Sequence, residues 1–144
     1  MSTTSTKGGT VGWQLNPYLN FDGNARQAME FYRDVLGGDL TVSTFGEFGG
    51  EGDTSDKVMH AQLSGGGLTL MASDTAPGME YRPGTNVALS LSGDDDATLR
   101  RYWEGLSQDG TITVPLEEQM WGDVFGAVTD RFGINWMVNI GRPE

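Results

Sequence analysis

His60 is the only histidine among the 144 residues, and there is no cysteine. The side chains that most often act as nucleophile, general base or zinc ligand are thereby cut to one imidazole and the carboxylates. An imidazole can take or give a proton near neutral pH, so His60 is the candidate catalytic residue, or else a ligand contact. The absence of cysteine excludes disulfides, thiolate metal sites and a Cys nucleophile, which suits a cytoplasmic protein. Trp121 follows the acid pair Glu117-Glu118 and is placed to line a cavity mouth or a dimer contact. The glycines at 49, 50 and 52 are spaced loosely like a phosphate loop, but Glu47, Glu51 and Asp53 among them would repel phosphate. Residues 46–56 are therefore expected to be a mobile loop, a lid over a site.

The charge balance narrows the partners. Nine Lys and Arg against 20 Asp and Glu leave a formal charge of −11. Phosphate backbones call for clustered cations, so nucleic acid is not an expected partner. No apolar run approaches the roughly 18 residues of a membrane span. Met1 to Gly12 is rich in Ser, Thr and Gly and is expected to be a disordered tail.

The elements that must position His60 show in an internal repeat. At a shift of 70 residues Leu19 falls on Leu89, Gly23 on Gly93, Tyr32 on Tyr102 and Leu36 on Leu106. At a shift of 66, Val58 falls on Val124, Ala61 on Ala127, Gly67 on Gly133 and Met71 on Met137. Each half begins with a strand, Leu15 to Phe21 and Val87 to Leu91. Each continues with a helix, 24–36 and 95–107, in which apolar residues recur at helical spacing. Asn24 is placed to cap the first helix and Gly37-Gly38 to end it; Asp94, Asp95 and Asp96 crowd the start of the second. Three strands follow each helix, at 39–45, 57–63 and 67–73, then at 111–116, 122–129 and 134–140. The fold class is α+β: two βαβββ modules in a single domain, 13–144. Module one covers 13–74, a Pro/Gly-rich linker 75–84, and module two 85–141.

Strand parity separates two faces. Leu19, Phe21, Leu89, Leu91, Met59, Ala61, Leu63, Leu68, Leu70, Ala72, Trp136 and Val138 form an apolar set that belongs under the helices. The opposite set is polar and uncharged: Asn16, Tyr18, Asn20, His60, Gln62, Thr69, Asn86, Ser90, Asn135 and Asn139, with Met71 and Met137. A wetted sheet face would carry Lys and Glu, so this set reads as the lining of a ligand cavity. It predicts an uncharged or weakly anionic ligand, since Arg26, Arg33, Arg100 and Arg101 sit on the helices.

Asn16-Pro17-Tyr18-Leu19-Asn20-Phe21 with Phe31-Tyr32 and Leu36-Gly37 resembles the opening of the vicinal-oxygen-chelate superfamily, the glyoxalase, bleomycin resistance and dioxygenase fold. Val58-Met59-His60-Ala61-Gln62-Leu63, Leu70-Met71-Ala72-Ser73-Asp74, Trp121-Gly122-Asp123 and Asp130-Arg131-Phe132-Gly133 with Trp136 resemble its PhnB-like branch. The resemblance covers residues 13–141. It implies two modules curling into a half-barrel around a cavity, in a homodimer. The branch includes proteins named as ubiquinone-pathway methyltransferases, but no Gly-rich nucleoside loop follows a first strand here.

Metal-using members of the superfamily carry His or Glu at four matched cavity positions. The resemblance places Asn16, Met71, Asn86 and Met137 there, and the internal repeat pairs them consistently. Neutral amides and thioethers suit a divalent first-row ion poorly, so neither metal nor any other cofactor is expected. The expected ligand-binding residues are Asn16, Tyr18, Asn20, His60, Gln62, Met71, Asn86, Trp121, Asn135 and Met137. The resulting reading is a metal-free small-molecule binding protein. The alternatives are a metal-free enzyme using His60 as acid or base, and a metal-dependent lyase or dioxygenase of the same superfamily.

Overall fold

Ala25, Ala28, Met29 and Tyr32 recur at helical spacing, and all four are buried on one face of a helix, α1 (Ala25–Leu36). The computed structural model describes residues 12–49, 52, 55–76 and 78–142. The tail expected at 1–12 thus lies outside the described residues except for Gly12, as do residues 50, 51, 53 and 54 of the 46–56 loop. Module one runs β1 (Tyr18–Phe21), α1, β2 (Asp39–Thr44), a short 3-10 turn at Gly46–Phe48, β3 (Val58–Gly65) and β4 (Leu68–Asp74). Module two repeats it as β5 (Leu89–Gly93), α2 (Asp96–Ser107), β6 (Thr111–Glu118), β7 (Val124–Thr129) and β8 (Asn135–Ile140). Each module makes its own four-stranded sheet, in the orders β1-β4-β3-β2 and β5-β8-β7-β6. The first two strands in each order are parallel and the rest antiparallel. The expected α+β architecture of two βαβββ modules is therefore present.

Several boundaries differ from the sequence reading for local reasons. β1 begins at Tyr18 rather than Leu15, which is 90% exposed. Pro17 has no N–H to give to a ladder, though its carbonyl accepts from the Met71 amide at 3.1 Å. β5 begins at Leu89 rather than Val87, and the Asn135 side-chain amide reaches the carbonyls of Thr85 and Val87 instead, at 3.5 and 3.4 Å. β7 begins at Val124 rather than 122, so Trp121 stands in the β6–β7 turn, where Gly122 N–H donates to the Gln119 carbonyl.

Helix capping also departs from expectation. Asn24 occupies the cap position of α1 but makes no side-chain capping bond. The buried Asp74, at the end of β4, takes that role. Its Oδ1 accepts from the Gly23 and Ala25 amides at 2.8 and 3.0 Å, and its Oδ2 from the Val58 amide at 2.8 Å. One carboxylate so joins β1, α1 and β3. Gly37 ends α1 at φ 81°, and its N–H returns to the Arg33 carbonyl at 2.8 Å. In α2 the expected acidic start is used directly: Asp95 accepts from the Thr98 amide at 3.2 Å, and the bonds from Thr98 hold the Asp95 carboxyl below its ordinary range.

Parity holds across the apolar face with one exception. Leu63, Leu70, Ala72, Trp136 and Val138 are buried, and Leu19, Leu68, Leu89 and Leu91 pack against them. Between Ser43 and Thr44 the β2–β3 register slips, with Ser43 opposite His60 but Thr44 opposite Val58. This bulge gives Met59 no partner and exchanges the faces on either side of it. Val58 takes the buried place that parity assigned to Met59, and Met59 turns toward Phe45, Asn20 and Ser73.

One core spans both modules. Tyr32 of α1 donates through its hydroxyl to buried Asp130 of the β7–β8 turn at 2.6 Å. Trp136 donates its indole N–H to the same oxygen at 2.9 Å, and the Phe132 and Ile134 amides donate to the other oxygen at 2.8 and 3.1 Å. Burial first, and the adjacent Asp130 second, push the Tyr32 phenol far above its ordinary range, so it stays a donor. Phe132 packs edge-on against Phe21 and tilted against Phe31, at centroid distances of 6.4 and 5.6 Å. The helices and this core cover one face of each sheet. Among the described residues no helix covers the opposite faces.

Candidate functional site

The open face of the first sheet carries the one histidine. The ladder sets Tyr18 of β1 opposite Met71 of β4, and Met71 opposite Gln62 of β3. Tyr18 and His60 lie on the strands that flank β4, and they meet: the Tyr18 hydroxyl is 3.2 Å from His60 Nδ1. Their rings are 5.8 Å apart and inclined at 42°. Beside them the Ser73 hydroxyl points to Asn20 Oδ1 at 3.4 Å, and the Gln62 amide donates to the Ser64 hydroxyl at 3.0 Å. Tyr18 is 47% exposed, while His60, Gln62 and Met71 are half-buried. The group is polar and reachable from solvent.

A cavity of about 550 Å³ adjoins Tyr18. Its wall includes Tyr18, Asn20, Arg82, Asn86, Leu89 and Asn135, drawn from β1, the linker and module two. A second hollow of about 370 Å³ on module two is bordered by Asn86, Thr113, Thr129, Asn135 and Met137. A third, of about 490 Å³, lies between the linker and the strand ends, with Asn20, Phe45, Met59, Tyr81 and Arg82 around it. Each volume is in the range of small-molecule pockets. Of the expected site residues, Tyr18, Asn20, Asn86 and Asn135 share one wall, and Met137 joins Asn86 and Asn135 in the next. His60, Gln62 and Met71 sit on the adjoining sheet face. Asn16 is half-buried just before β1, and Trp121 is 63% exposed on its turn; neither lines these three cavities.

Sequence reasoning missed the linker. Residues 75–84 read as a connector, yet Tyr81 and Arg82 form part of two cavities. The expectation of no fixed charge around the cavity is corrected accordingly. Arg82 lies there, paired with Glu80 at 2.6 Å, so the added charge is balanced locally. The available signal was an aromatic–arginine pair inside a Pro/Gly-rich stretch. Asp123 accepts from the Asn139 side-chain amide at 3.1 Å.

The resemblance places Asn16, Met71, Asn86 and Met137 at the superfamily's metal positions, and two pairings among them are seen. The Met71 amide bonds to the residue after Asn16, and Met137 and Asn86 share the second hollow. Two amides and two thioethers do not fit a divalent first-row ion. His60 Nδ1 is engaged by Tyr18, and among the described residues no three His, Cys, Asp or Glu side chains are grouped to replace them.

A family model described as the Glyoxalase/Bleomycin resistance protein/Dioxygenase superfamily matches residues 14–138. The chain belongs to this superfamily. Protein YjdN of Escherichia coli strain K12 is 30% identical over 144 aligned residues, which span 90% of this chain and 97% of that protein. The crystal structure of PA1353 from Pseudomonas aeruginosa is 39% identical, with a TM-score of 0.83 over 92% of this chain and 100% of that one. A PhnB protein from Bacillus cereus, whose name refers to a 3-demethylubiquinone-9 3-methyltransferase, has a TM-score of 0.71 at 22% identity, covering 90% of this chain and 100% of that one. At that identity the likeness is one of fold. No helix among the described residues is long and apolar enough to cross a membrane.

Proposed function

We propose that this superfamily member is a metal-free small-molecule binding protein of the PhnB-like branch. Its ligand lies on the open face of module one and in the cavity between β1 and the linker. The observation that carries the reading is the Tyr18–His60 pair, exposed beside a cavity of about 550 Å³ whose wall adds Asn20, Asn86 and Asn135. Neutral donors and acceptors fix orientation, and Met71 supplies adaptable apolar surface. The ligand is uncharged or weakly anionic: the one cation in the wall, Arg82, already has Glu80. The methyltransferase name of the Bacillus cereus protein is not carried over, since the turn after β1 is Asp22-Gly23-Asn24 and holds no nucleoside loop.

The working form is a cytoplasmic homodimer. Each sheet has an uncovered face, and Ile112, Val114, Met120 and Trp121 expose apolar surface along β6 and its turn. A second reading, a metal-free enzyme with His60 as acid or base, draws on the same Tyr18–His60 bond, which would orient the imidazole.

A thermal-shift screen of metabolites tests the proposal. A ligand at about 100 times its dissociation constant raises stability by about 2.7 kcal/mol. Its affinity should fall on Tyr18→Ala, His60→Ala or Asn86→Ala, and unchanged affinity in all three would refute the site. Turnover of that ligand, abolished by His60→Ala with binding retained, would establish the enzyme reading instead.

A further inference from the structure

We propose that Tyr18 is a positioning residue that holds His60 in one neutral tautomer, with Nδ1 bare and the proton on Nε2. The site then presents its ligand with an N–H donor and takes molecules that carry a neutral acceptor oxygen at that point, a carbonyl or an ether. This rests on the reading of the open face as the ligand site.

A neutral imidazole has one donor nitrogen and one acceptor, and the bond made by one nitrogen sets the role of the other. Nδ1 of His60 lies 3.2 Å from the Tyr18 hydroxyl, its one hydrogen-bond partner among the described residues. A phenol is a good donor and a poor acceptor, because its lone pair is shared with the ring. The proton of the pair therefore belongs to Tyr18, Nδ1 accepts it, and Nε2 carries the imidazole hydrogen. Among the described residues Nε2 has no partner of its own.

The strands make this arrangement specific. β4 lies between β1 and β3, so the Tyr18–His60 bond crosses over β4 next to Met71, which the ladder sets opposite Tyr18. The β2–β3 bulge follows immediately, and it is His60, opposite Ser43, that keeps the last regular place on the open face. Met71, which the ladder sets opposite Tyr18, carries a thioether and so no strong acceptor to compete for Nε2–H. A ligand oxygen is thus the partner the donor lacks, and a ligand group that can only donate meets a second donor there.

The single histidine makes the test direct. Long-range ¹H–¹⁵N correlation spectra of the ¹⁵N-labelled full chain contain one imidazole ring. The expected wild-type spectrum has a protonated Nε2 and a bare Nδ1 moved to lower frequency by an accepted hydrogen bond. Tyr18→Phe should lose that displacement of Nδ1. Because Tyr18 is half exposed, the variant should keep the wild-type melting temperature. A protonated Nδ1, or identical ring nitrogens in wild type and Tyr18→Phe, overturns the assignment. The ligand class is read with a matched pair of probes at millimolar concentration. Acetophenone, which carries an acceptor oxygen, should move the Nε2 resonance, and ethylbenzene, which has none, should leave it in place. Equal responses to the two overturn the donor claim. The tautomer measurement uses no ligand, so its failure is distinct from a failure of the binding reading.

Discussion

Asp130 concentrates more polar bonding than any other side chain in the core. It accepts from the Tyr32 hydroxyl, the Trp136 indole and two backbone amides, at 4% exposure. Replacing it by Ala would leave four donors without their acceptor, the Tyr32 hydroxyl and Trp136 indole in buried bonds and the Phe132 and Ile134 amides in part-buried ones, and a buried stranded donor costs about 1–3 kcal/mol. We expect Asp130→Ala to lose about 3–5 kcal/mol in urea unfolding, or to fail to accumulate as folded protein. Tyr32→Phe removes one donor and should cost about 1–2 kcal/mol. It should also change the alkaline limb. Burial raises the folded Tyr32 above the unfolded phenol, so its contribution is complete below the unfolded value, near pH 10, and is lost as pH rises past it. The wild type should therefore lose stability faster than Tyr32→Phe above about pH 10. Equal slopes in pH-dependent melts would show that Tyr32 is not linked in this way. At this scale the sequence is legible in part. Trp136 has core parity on its strand, but nothing in its spacing says that Tyr32, 98 residues before Asp130, shares its acceptor.

Elements are easier to read than the bonds that tie them. Both helices fall within a residue or so of the range that apolar spacing predicts, because that spacing follows from the helix itself. The cap of α1 does not follow from local sequence. Asn24 stands where a cap belongs, yet Asp74, about fifty residues on, takes the amides of Gly23 and Ala25. The two substitutions should therefore behave oppositely to local propensity. Asp74→Ala should destabilise by about 2–4 kcal/mol, since three backbone donors lose their acceptor, whereas Asn24→Ala should change stability by less than about 0.5 kcal/mol. Chemical denaturation of the two variants decides the matter, and the reverse order would return the cap to Asn24. The β2–β3 bulge is hidden for a related reason. Val58-Met59-His60-Ala61 has no Gly or Pro to announce an extra residue, so uniform alternation assigns Met59 to the core and is wrong by one residue.

At the scale of the molecule, the core binds the modules through their helices and the β7–β8 turn, and among the described residues no strand pairing joins the two sheets. The open faces are therefore not closed against each other by ladder bonds. Exposed Ile112, Val114, Met120 and Trp121 line the β6 side of module two. We expect a C2 homodimer with a total buried area above roughly 1,000 Å², the usual floor for a specific contact. Light scattering at micromolar concentration should give twice the chain mass of 15.5 kDa, and a mass of one chain would refute the dimer. A charged substitution such as Val114→Glu should shift the equilibrium toward monomer if β6 is in the interface.

Local sequence determined the elements, the repeat and the face on which His60 stands, because helical and strand periods are set by each element's own geometry. Residue type also fixes that Asn16, Met71, Asn86 and Met137, which the resemblance places at the superfamily's metal positions, offer only amides and thioethers. Only the tertiary structure decided what these residues meet. Strand order brought Tyr18 to His60 across β4, and chain reversal set Tyr81 and Arg82 of the linker beside Asn20. Such contacts join residues tens of positions apart. They are set by how the sheets stack on a common core, which no period within one segment records.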